Sequence, residues 1–264
     1  MGSHISHWDD ILSEEIYFKQ DGLMSRVKTG VEGLDSIIGG GLPEKSITLV
    51  SGPPGSGKSI LSFQFLYEGI KSGEKGLFLT LDKKVNGLLT QAKKLGFDFQ
   101  PALEEKLVKF RFLNINKKLI YEAMVNEILS GEYDRIVLDS ITPLSEMPIY
   151  VNSVKNNSKL DISIVNSEEF PSNTNLPVRR LHIQYIMNAL ETSESVSIVT
   201  SELSMGSLLL SRDGISEFLA DGVIILGFDS TMDRRKLSVM KMRNTKHTLK
   251  PQDIEISEGG IRFI

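Results

Sequence analysis

The hydrophobic positions of the chain alternate between short, fully apolar runs and longer segments with helical spacing. The apolar runs predict strands at 47–50, 77–81, 107–113 and 135–138, and another centred on Ile198 and Val199. The segments with helical spacing predict helices at 59–71, 85–95 and 118–129, followed by Gly73, Gly96 and Gly131. Strands that are apolar on both faces and alternate with helices are typical of a parallel sheet covered on both sides.

The pattern changes after Gly222, where apolar runs follow one another with only short turns between them. These runs predict strands at 222–228, 235–242, 253–256 and 261–264. We therefore expect an α/β fold with a mostly parallel, twisted sheet flanked by helices and with antiparallel C-terminal strands at one edge.

Two segments stand apart from this alternation. Residues 1–25 begin with Met-Gly-Ser-His, which resembles an expression-tag remnant, and carry a helical pattern at 8–19. Residues 151–177 are rich in Asn and Ser, contain Pro171 and Pro177 and lack periodicity, which predicts a long, mobile excursion. No repeat of fixed period is present, so we expect one core domain over 26–264.

Composition narrows the classes of function. The chain has 264 residues, no Cys and a formal net charge of −4. The lack of Cys excludes thiolate metal sites, disulfides and thiol nucleophiles, and the acidic balance does not favour nucleic acid as a partner. With no apolar run of 18 residues and no signal-like N-terminus, the sequence predicts a soluble, cytoplasmic protein.

The strongest motif is a glycine-rich loop between the strand at 47–50 and the following helix. It matches G-x-x-x-x-G-K-[ST] at every position, a spacing that lets backbone N–H groups and a helix N-terminus converge on phosphate. Lys58 would reach the β- and γ-phosphates, and the Ser59 hydroxyl would ligate Mg²⁺. The predicted nucleotide-binding residues here are Gly52, Pro53, Pro54, Gly55, Ser56, Gly57, Lys58, Ser59 and Ile60.

A second motif, a carboxylate at the end of a strand, supports a magnesium site. Asp139 ends the apolar strand at 135–138, and an Asp at such a position completes the metal shell in nucleoside-triphosphate sites, here through water. Ser59 and Asp139 are therefore the predicted metal ligands, with ATP and Mg²⁺ as the predicted cofactors.

With these motifs and several others in the same order, residues 26–264 resemble the KaiC branch of the RecA-like ATPases. The further matching segments are Thr29-Gly30, Gly33-Leu34-Asp35, Gly39-Gly40-Gly41-Leu42-Pro43, Ser62-Phe63-Gln64-Phe65-Leu66-Tyr67, Thr200-Ser201-Glu202, Glu217-Phe218-Leu219-Ala220-Asp221-Gly222, and Lys241-Met242-Arg243 with His247. The resemblance implies a hexameric ring with ATP bound between subunits.

The same resemblance implies roles for the C-terminal strands. Arg235, Lys241 and Arg243 match residues that reach the γ-phosphate of a neighbouring subunit, and their shared parity predicts that they point to one face of a strand. Matching of positions also places four residues near the base and sugar: Thr245, His247, Ser257 and Glu258.

The chain departs from the family at its catalytic acids. The family usually has two adjacent glutamates after the second strand, one of which activates water, whereas this chain has Asp82 and Lys83. General-base catalysis contributes roughly 10²–10⁴-fold, so we expect secure ATP binding with slow or absent hydrolysis. Asp82 is the predicted base, and Glu202 is the alternative. Glu217 and Phe218 replace the phosphorylated Ser and Thr of the clock protein, so its autokinase cycle does not carry over.

Three functions stay open at this point. The first is a weak ATPase that assembles into a ring and acts as a switch, and the second is an ATP-bound scaffold with little turnover, similar to the KaiC-like subunit of the archaellum. The third is a RadA-type recombinase paralogue that binds DNA. The segment 205–212 occupies the place of a recombinase DNA-binding loop, but it has one basic residue and no aromatic residue, whereas single-strand binding uses several cations and stacking faces.

Overall fold

The structure is a computed structural model, and it describes residues 25–115, 119–146, 150–151, 162–163, 175–229 and 231–264. The helix predicted at 8–19 lies outside these residues, and so does most of the predicted excursion at 151–177. Two short strands from this region are described, β7 (Tyr150–Val151) and β8 (Ile162–Ser163), and they pair in antiparallel fashion.

The remaining strands form one nine-stranded sheet and one small pair. The pair is β1 (Arg26–Val27) with β2 (Leu42–Pro43). The large sheet contains β3 (Ile47–Gly52), β4 (Gly76–Thr80), β5 (Val108–Phe112), β6 (Arg135–Asp139), β9 (Val196–Glu202), β10 (Gly222–Asp229), β11 (Arg234–Met242), β12 (Gln252–Ser257) and β13 (Gly260–Phe263). Its order is β13-β12-β11-β10-β3-β9-β6-β4-β5.

Strand directions confirm the predicted fold class. The six strands from β10 to β5 in this order run parallel to one another, while β11, β12 and β13 add antiparallel pairs at one edge. Parallel strands bring their carboxyl ends to the same edge of a sheet, where α/β proteins bind ligands. This edge, the loop edge, carries the carboxyl ends of β3, β4, β6 and β9. The far edge is the opposite one, where these strands begin.

Eight helices are described. Three match predicted helices: α2 (Lys58–Lys71), α3 (Val85–Lys94) and α5 (Ile120–Ser130). The pattern did not predict the short helices α1 (Glu32–Ile37), α4 (Gln100–Glu104), α6 (Thr142–Glu146) and α8 (Ser216–Leu219). Helix α7 (Asn175–Thr192) was also missed, and it begins inside the predicted excursion.

Alternate residues of the central strands supply two cores, one on each face of the sheet. Val50, Phe78 and Val137 pack with α1, α2 and α3 on one face. Leu49, Leu77 and Ile136 pack with α5 and α7 on the other. Both sets are buried because helices cover both faces, which is why the central strands are continuously apolar in sequence. None of the described helices is long and apolar enough to cross a membrane.

The C-terminal strand is tied to the helix that follows the glycine-rich loop. The buried Gln64 amide on α2 donates to the carbonyl of Ile261 at 3.2 Å and accepts from its backbone N–H at 2.9 Å, and it also donates to the carbonyl of Gly30 at 2.7 Å. A Cβ at Gly33 would lie 2.3 Å from Phe263 Cγ, so only glycine lets α1 approach β13 this closely. These contacts give the N-terminal segment Thr29–Asp35 a structural role.

A β-bulge in β11 overturns the prediction that Arg235, Lys241 and Arg243 share a face. Val223 pairs with Lys241, but the next residue, Ile224, pairs with Val239, so one extra residue is inserted. The bulge reverses the alternation of side chains. Arg235 lies on the face of Leu237 and the first core, whereas Lys241 contacts carbonyl groups next to the second.

Candidate nucleotide-binding site

The glycine-rich loop lies where β3 ends and α2 begins, as the sequence predicts. Gly55 and Gly57 adopt φ values of +79° and +109°, in the left-handed region that disfavours side chains. A Cβ on Gly52 would lie 2.2 Å from the carbonyl oxygen of Leu226. The Ser56 hydroxyl inside the loop is buried and has no hydrogen-bond partner among the described residues. The loop is therefore a tight backbone cradle with an unused polar group, which fits a phosphate chain.

Lys58, the first residue of α2, is folded back onto this cradle. Its Nζ donates to the carbonyl oxygens of Gly52 at 2.7 Å and Pro53 at 3.1 Å. Burial lowers the pKa of Lys58, and the nearby carboxylates of Glu202 and Asp139 partly oppose that shift. A desolvated ammonium held by two neutral carbonyls is well placed to take a stronger, anionic partner.

Ser59 and Asp139, the two predicted metal ligands, lie side by side. The Ser59 hydroxyl donates to Asp139 Oδ2 at 2.8 Å, and the Thr200 hydroxyl donates to Asp139 Oδ1 at 2.6 Å. Asp139 is buried, and it is joined to Ser140 by a cis peptide bond. A hydroxyl and a carboxylate at this separation form a donor set suited to a hard cation such as Mg²⁺.

The ammonium group of Lys83 occupies the same corner of the site. Lys83 Nζ donates to Ser59 Oγ at 3.0 Å and to Asp139 Oδ2 at 3.4 Å. Among the described residues, Lys83 forms its ion pair with Asp139 rather than with the adjacent Asp82. Asp82 is exposed, and its carboxylate accepts a hydrogen bond of 3.4 Å from the Thr80 hydroxyl.

Glu202, the alternative base, ends β9 on the same edge of the sheet. Its backbone N–H donates to the Thr142 hydroxyl at 2.8 Å, and its side chain is exposed. Its carboxylate is close enough to oppose the lowering of the Lys58 pKa. Both candidate bases therefore lie at the loop edge, and neither is buried.

Arg235 lies at the edge of the sheet that carries the loop of its own subunit. It pairs across the strands with Phe228, and its guanidinium lies 5.7 Å from the centre of that ring. The same ring approaches the site of a Cβ on Gly55, at 3.8 Å. Arg235 and Pro54 line one cavity of about 430 Å³, and Arg235 Nε is buried with no hydrogen-bond partner among the described residues.

Lys241 and Arg243 lie at the opposite edge of the sheet. The backbone N–H of Arg243 donates to the carbonyl of Asp221, and the backbone N–H of Asp221 donates to the carbonyl of Ile47, the first residue of β3. Gly52 lies five positions after Ile47 along β3, or roughly 16 Å at about 3.3 Å per residue. Lys241 Nζ donates to the carbonyls of Ala220 at 2.5 Å and Glu217 at 3.1 Å. The structure thus separates Arg235 from the other two predicted γ-phosphate contacts.

The residues predicted near the base and sugar fall into two groups. Ser257 ends β12 and Glu258 lies in the turn to β13, close to Ile256, whose Cδ1 lies 3.1 Å from the position of a Cβ on Gly57. Thr245 and His247 instead follow Arg243 at the far edge, where Arg26 Nη1 donates to Thr245 Oγ1 at 2.6 Å.

Sequence reasoning missed three contributors to these two regions: Lys83 as a partner of Ser59, Thr200 as a partner of Asp139, and Arg26 as a partner of Thr245. Thr200 carried a signal, since it follows Ile198 and Val199 in a strand predicted to lie in the parallel sheet. Lys83 and Arg26 carried none, because their contacts depend on side-chain directions that spacing does not reveal.

Comparisons with known proteins find matches over most of this chain. The family model described as "ATPase: KaiC" matches residues 27–264. A UPF0273 protein of Pyrococcus furiosus is 29% identical over 246 residues, covering 90% of this chain and 94% of that protein. The circadian clock oscillator protein KaiC of a Picosynechococcus species is 30% identical over 246 residues, which span 91% of this chain but 44% of the clock protein.

A solved structure is similar as well. The crystal structure of a KaiC-like protein from Pyrococcus horikoshii matches with a TM-score of 0.72 and 27% identity, covering 91% of this chain and 99% of that one. The family model covers nearly all of the chain outside its N-terminal segment, and the similar structure has the same architecture. This chain therefore belongs to the KaiC ATPase family.

Proposed function

We propose that this protein binds ATP in the loop at 52–59, hydrolyses it slowly, and uses bound ATP to join copies of itself. The observation that carries the proposal is the juxtaposition of the glycine-rich cradle, the Ser59–Asp139 pair and an ammonium group where the family has a glutamate. Membership in the family implies nucleotide binding, and the local geometry supports ATP as the nucleotide.

Binding engages groups that the protein already holds in place. The phosphates enter the cradle, and Lys58 exchanges two carbonyl partners for phosphate oxygens. Ser59 and Asp139 would hold Mg²⁺, which supplies Lewis-acid stabilisation of phosphate charge when bound. Thr200 fixes the orientation of Asp139 through a hydrogen bond to the oxygen that does not face Ser59.

Slow hydrolysis follows from the residues at the end of β4. Asp82 is one methylene shorter than the glutamate it replaces, and it is exposed and hydrogen-bonded to Thr80. A displaced general base loses much of the rate advantage that correct positioning provides, because this advantage falls steeply with distance. Lys83 adds positive charge beside the site and provides no second acid.

The positions of Lys241 and Arg243 support assembly through ATP. They lie at the edge of the sheet away from their own loop, so a phosphate contact by either residue requires a loop from another copy. A homo-oligomer in which the far edge of one copy meets the loop edge of the next, most simply a closed hexamer, meets that requirement.

A scaffold function without turnover is the second candidate, and the Lys83 contact with both metal ligands favours it. The recombinase hypothesis finds less support. Arg212, the one basic residue of the segment 205–212, pairs with Glu146 at 2.9 Å and also donates to Ser204, so the segment offers no unpaired cation to a nucleic-acid backbone.

Thermal unfolding with and without ATP tests the proposal. Ligand at about 100 times its Kd stabilises the fold by roughly 2.7 kcal/mol, so wild type should melt at a higher temperature with ATP. Lys58→Ala should lose this shift. Lys71→Ala, an exposed lysine at the other end of α2, should keep it. A wild-type melting temperature that ATP leaves unchanged would refute nucleotide binding.

Phosphate release then separates the candidate functions. The switch hypothesis expects slow release that single-stranded DNA leaves unchanged, and the scaffold hypothesis expects no release above background. Stimulation by single-stranded DNA would support the recombinase hypothesis and contradict both.

A further inference from the structure

Three polar groups at the ends of α2, β4 and β6 lie within hydrogen-bond distance of one another. Ser59 Oγ is 2.8 Å from Asp139 Oδ2, and Lys83 Nζ is 3.0 Å from the first atom and 3.4 Å from the second. A side-chain cation thus contacts both of the oxygens that form the predicted Mg²⁺ site.

The charge of Asp139 explains why a cation is stable there. Its side chain is only 4% exposed, and a buried carboxylate requires hydrogen bonds and an opposite charge. Ser59 and Thr200 donate hydrogen bonds but carry no charge. Among the described residues, Lys83 is the cation that forms an ion pair with Asp139, because the Lys58 ammonium is engaged by loop carbonyls.

The backbone delivers Lys83 to this position. Thr80, the last residue of β4, lies directly beside Asp139 in the parallel register. The backbone N–H of Lys83 donates to the Thr80 hydroxyl at 3.3 Å, which folds the chain back over the end of the strand. The Lys83 side chain is 42% exposed, so it reaches the buried pair from solvent and is able to leave it.

We infer that the Lys83 ammonium occupies the metal position beside Ser59 and Asp139. ATP binding therefore depends little on Mg²⁺, and Mg²⁺ must displace Lys83 in order to bind. This inference rests on the proposed ATP-binding function and adds its cation requirement. An ammonium has three N–H donors; two are directed to Ser59 and Asp139, and the third is available to a phosphate oxygen. Mg²⁺ needs near-octahedral oxygen ligands at about 2.0–2.1 Å, which the ammonium prevents while it remains.

Calorimetric titration of ATP tests the inference, with excess Mg²⁺ in one arm and excess EDTA in the other. The variants are Lys83→Gln, which removes the charge, Lys83→Arg, which keeps it, and Lys84→Gln, a matched change at the exposed neighbour. For wild type, Lys83→Arg and Lys84→Gln, we expect the two Kd values to agree within about threefold. For Lys83→Gln, we expect Kd to be at least tenfold weaker in EDTA, about 1.4 kcal/mol, and to recover with Mg²⁺.

A direct metal titration provides a second readout. Mn²⁺ alone, followed by electron paramagnetic resonance, should bind Lys83→Gln more tightly than wild type by at least tenfold, because no ammonium competes for Ser59 and Asp139. Melting temperatures without ligand establish that each variant folds.

The outcomes are distinguishable. Equal dependence on Mg²⁺ in wild type and Lys83→Gln overturns the inference and leaves the proposed function standing. Failure of wild type to bind ATP in either arm refutes the proposed function itself. If Lys83→Gln does not fold, tenfold or greater weakening in EDTA for wild type and Lys83→Arg still overturns the inference.

Discussion

Arg243 and Asp221 are joined twice. The backbone N–H of Arg243 donates to the Asp221 carbonyl at 2.9 Å, and its Nη1 donates to Asp221 Oδ1 at 3.0 Å. Asp221 Oδ2 also accepts from the backbone N–H of Ile47 at 3.0 Å. The pair therefore fixes the guanidinium, which is half exposed, at the edge of the sheet where β3 begins.

This placement predicts that Arg243→Ala prevents ATP-dependent self-association. The variant removes a cation held ready for the phosphate of another copy, while the backbone bonds to Asp221 remain. Sedimentation velocity with ATP should show an oligomer for wild type and a monomer for Arg243→Ala. The control is Arg262→Ala, another exposed arginine in an ion pair, which should assemble normally. A wild-type monomer under all conditions would contradict the assembly proposal.

The contacts of Lys83 predict that hydrolysis is repairable. The double change Asp82→Glu with Lys83→Glu restores the reach of the base and removes the ammonium from Ser59 and Asp139. We expect turnover with Mg²⁺–ATP to rise at least tenfold, which needs about 1.4 kcal/mol off the barrier. Single-turnover kinetics measure the effect. Brisk wild-type hydrolysis that survives Asp82→Asn but disappears in Glu202→Gln would assign the base to Glu202 instead.

The buried imidazole of His182 predicts a loss of stability in mild acid. His182 is 1% exposed and stacks on Tyr121 at 4.8 Å, and neither ring nitrogen has a hydrogen-bond partner among the described residues. Burial lowers its pKa to about 4, against about 6.5 for the unfolded chain. As pH falls through this window, the unfolded state binds a proton before the folded state does. The free energy of unfolding is therefore largest above about pH 6.5 and declines toward pH 4, by about 3 kcal/mol.

The measurement is chemical unfolding at several pH values across that window. His182→Phe keeps an aromatic ring against Tyr121 and removes the proton-binding group, so its stability should fall less with acid than that of wild type. His247→Gln changes a histidine on the partly exposed C-terminal segment and should leave the slope as in wild type. Equal slopes for His182→Phe and wild type would contradict the assignment.

The approach of α1 to β13 predicts a compensating pair of mutations. A Cβ at Gly33 would overlap Phe263, so Gly33→Ala should destabilise the fold by about 1–3 kcal/mol. A Phe263→Gly background also removes the Phe263 Cβ, which would lie 2.7 Å from the new Cβ, so the overlap is relieved there, and alanine is the better helix former by about 1 kcal/mol. We expect Gly33→Ala to be neutral or stabilising there. Urea unfolding of the four proteins gives the coupling, and additive effects would refute this explanation of Gly33.

The sequence by itself determined the fold class and the loop. Strands buried on both faces must be continuously apolar, and helices that cover a sheet must carry an apolar stripe. The alternation of these two patterns at 47–138 therefore predicts a parallel sheet covered by helices. The loop at 52–59 was recognisable because each glycine is needed by the local backbone. Ser59 followed from the motif of that loop, and Asp139 from its place at the end of an apolar strand.

Only the tertiary structure decided which cations lie near that loop. The bulge in β11 inserts one residue and reverses the facing of side chains, and the antiparallel direction of β11 places Arg235 at the loop edge and Arg243 at the other. Spacing along the chain shows neither effect. The contact of Lys83 with Ser59 and Asp139 was hidden for the same reason, since it joins side chains from three elements that meet only when the sheet is assembled.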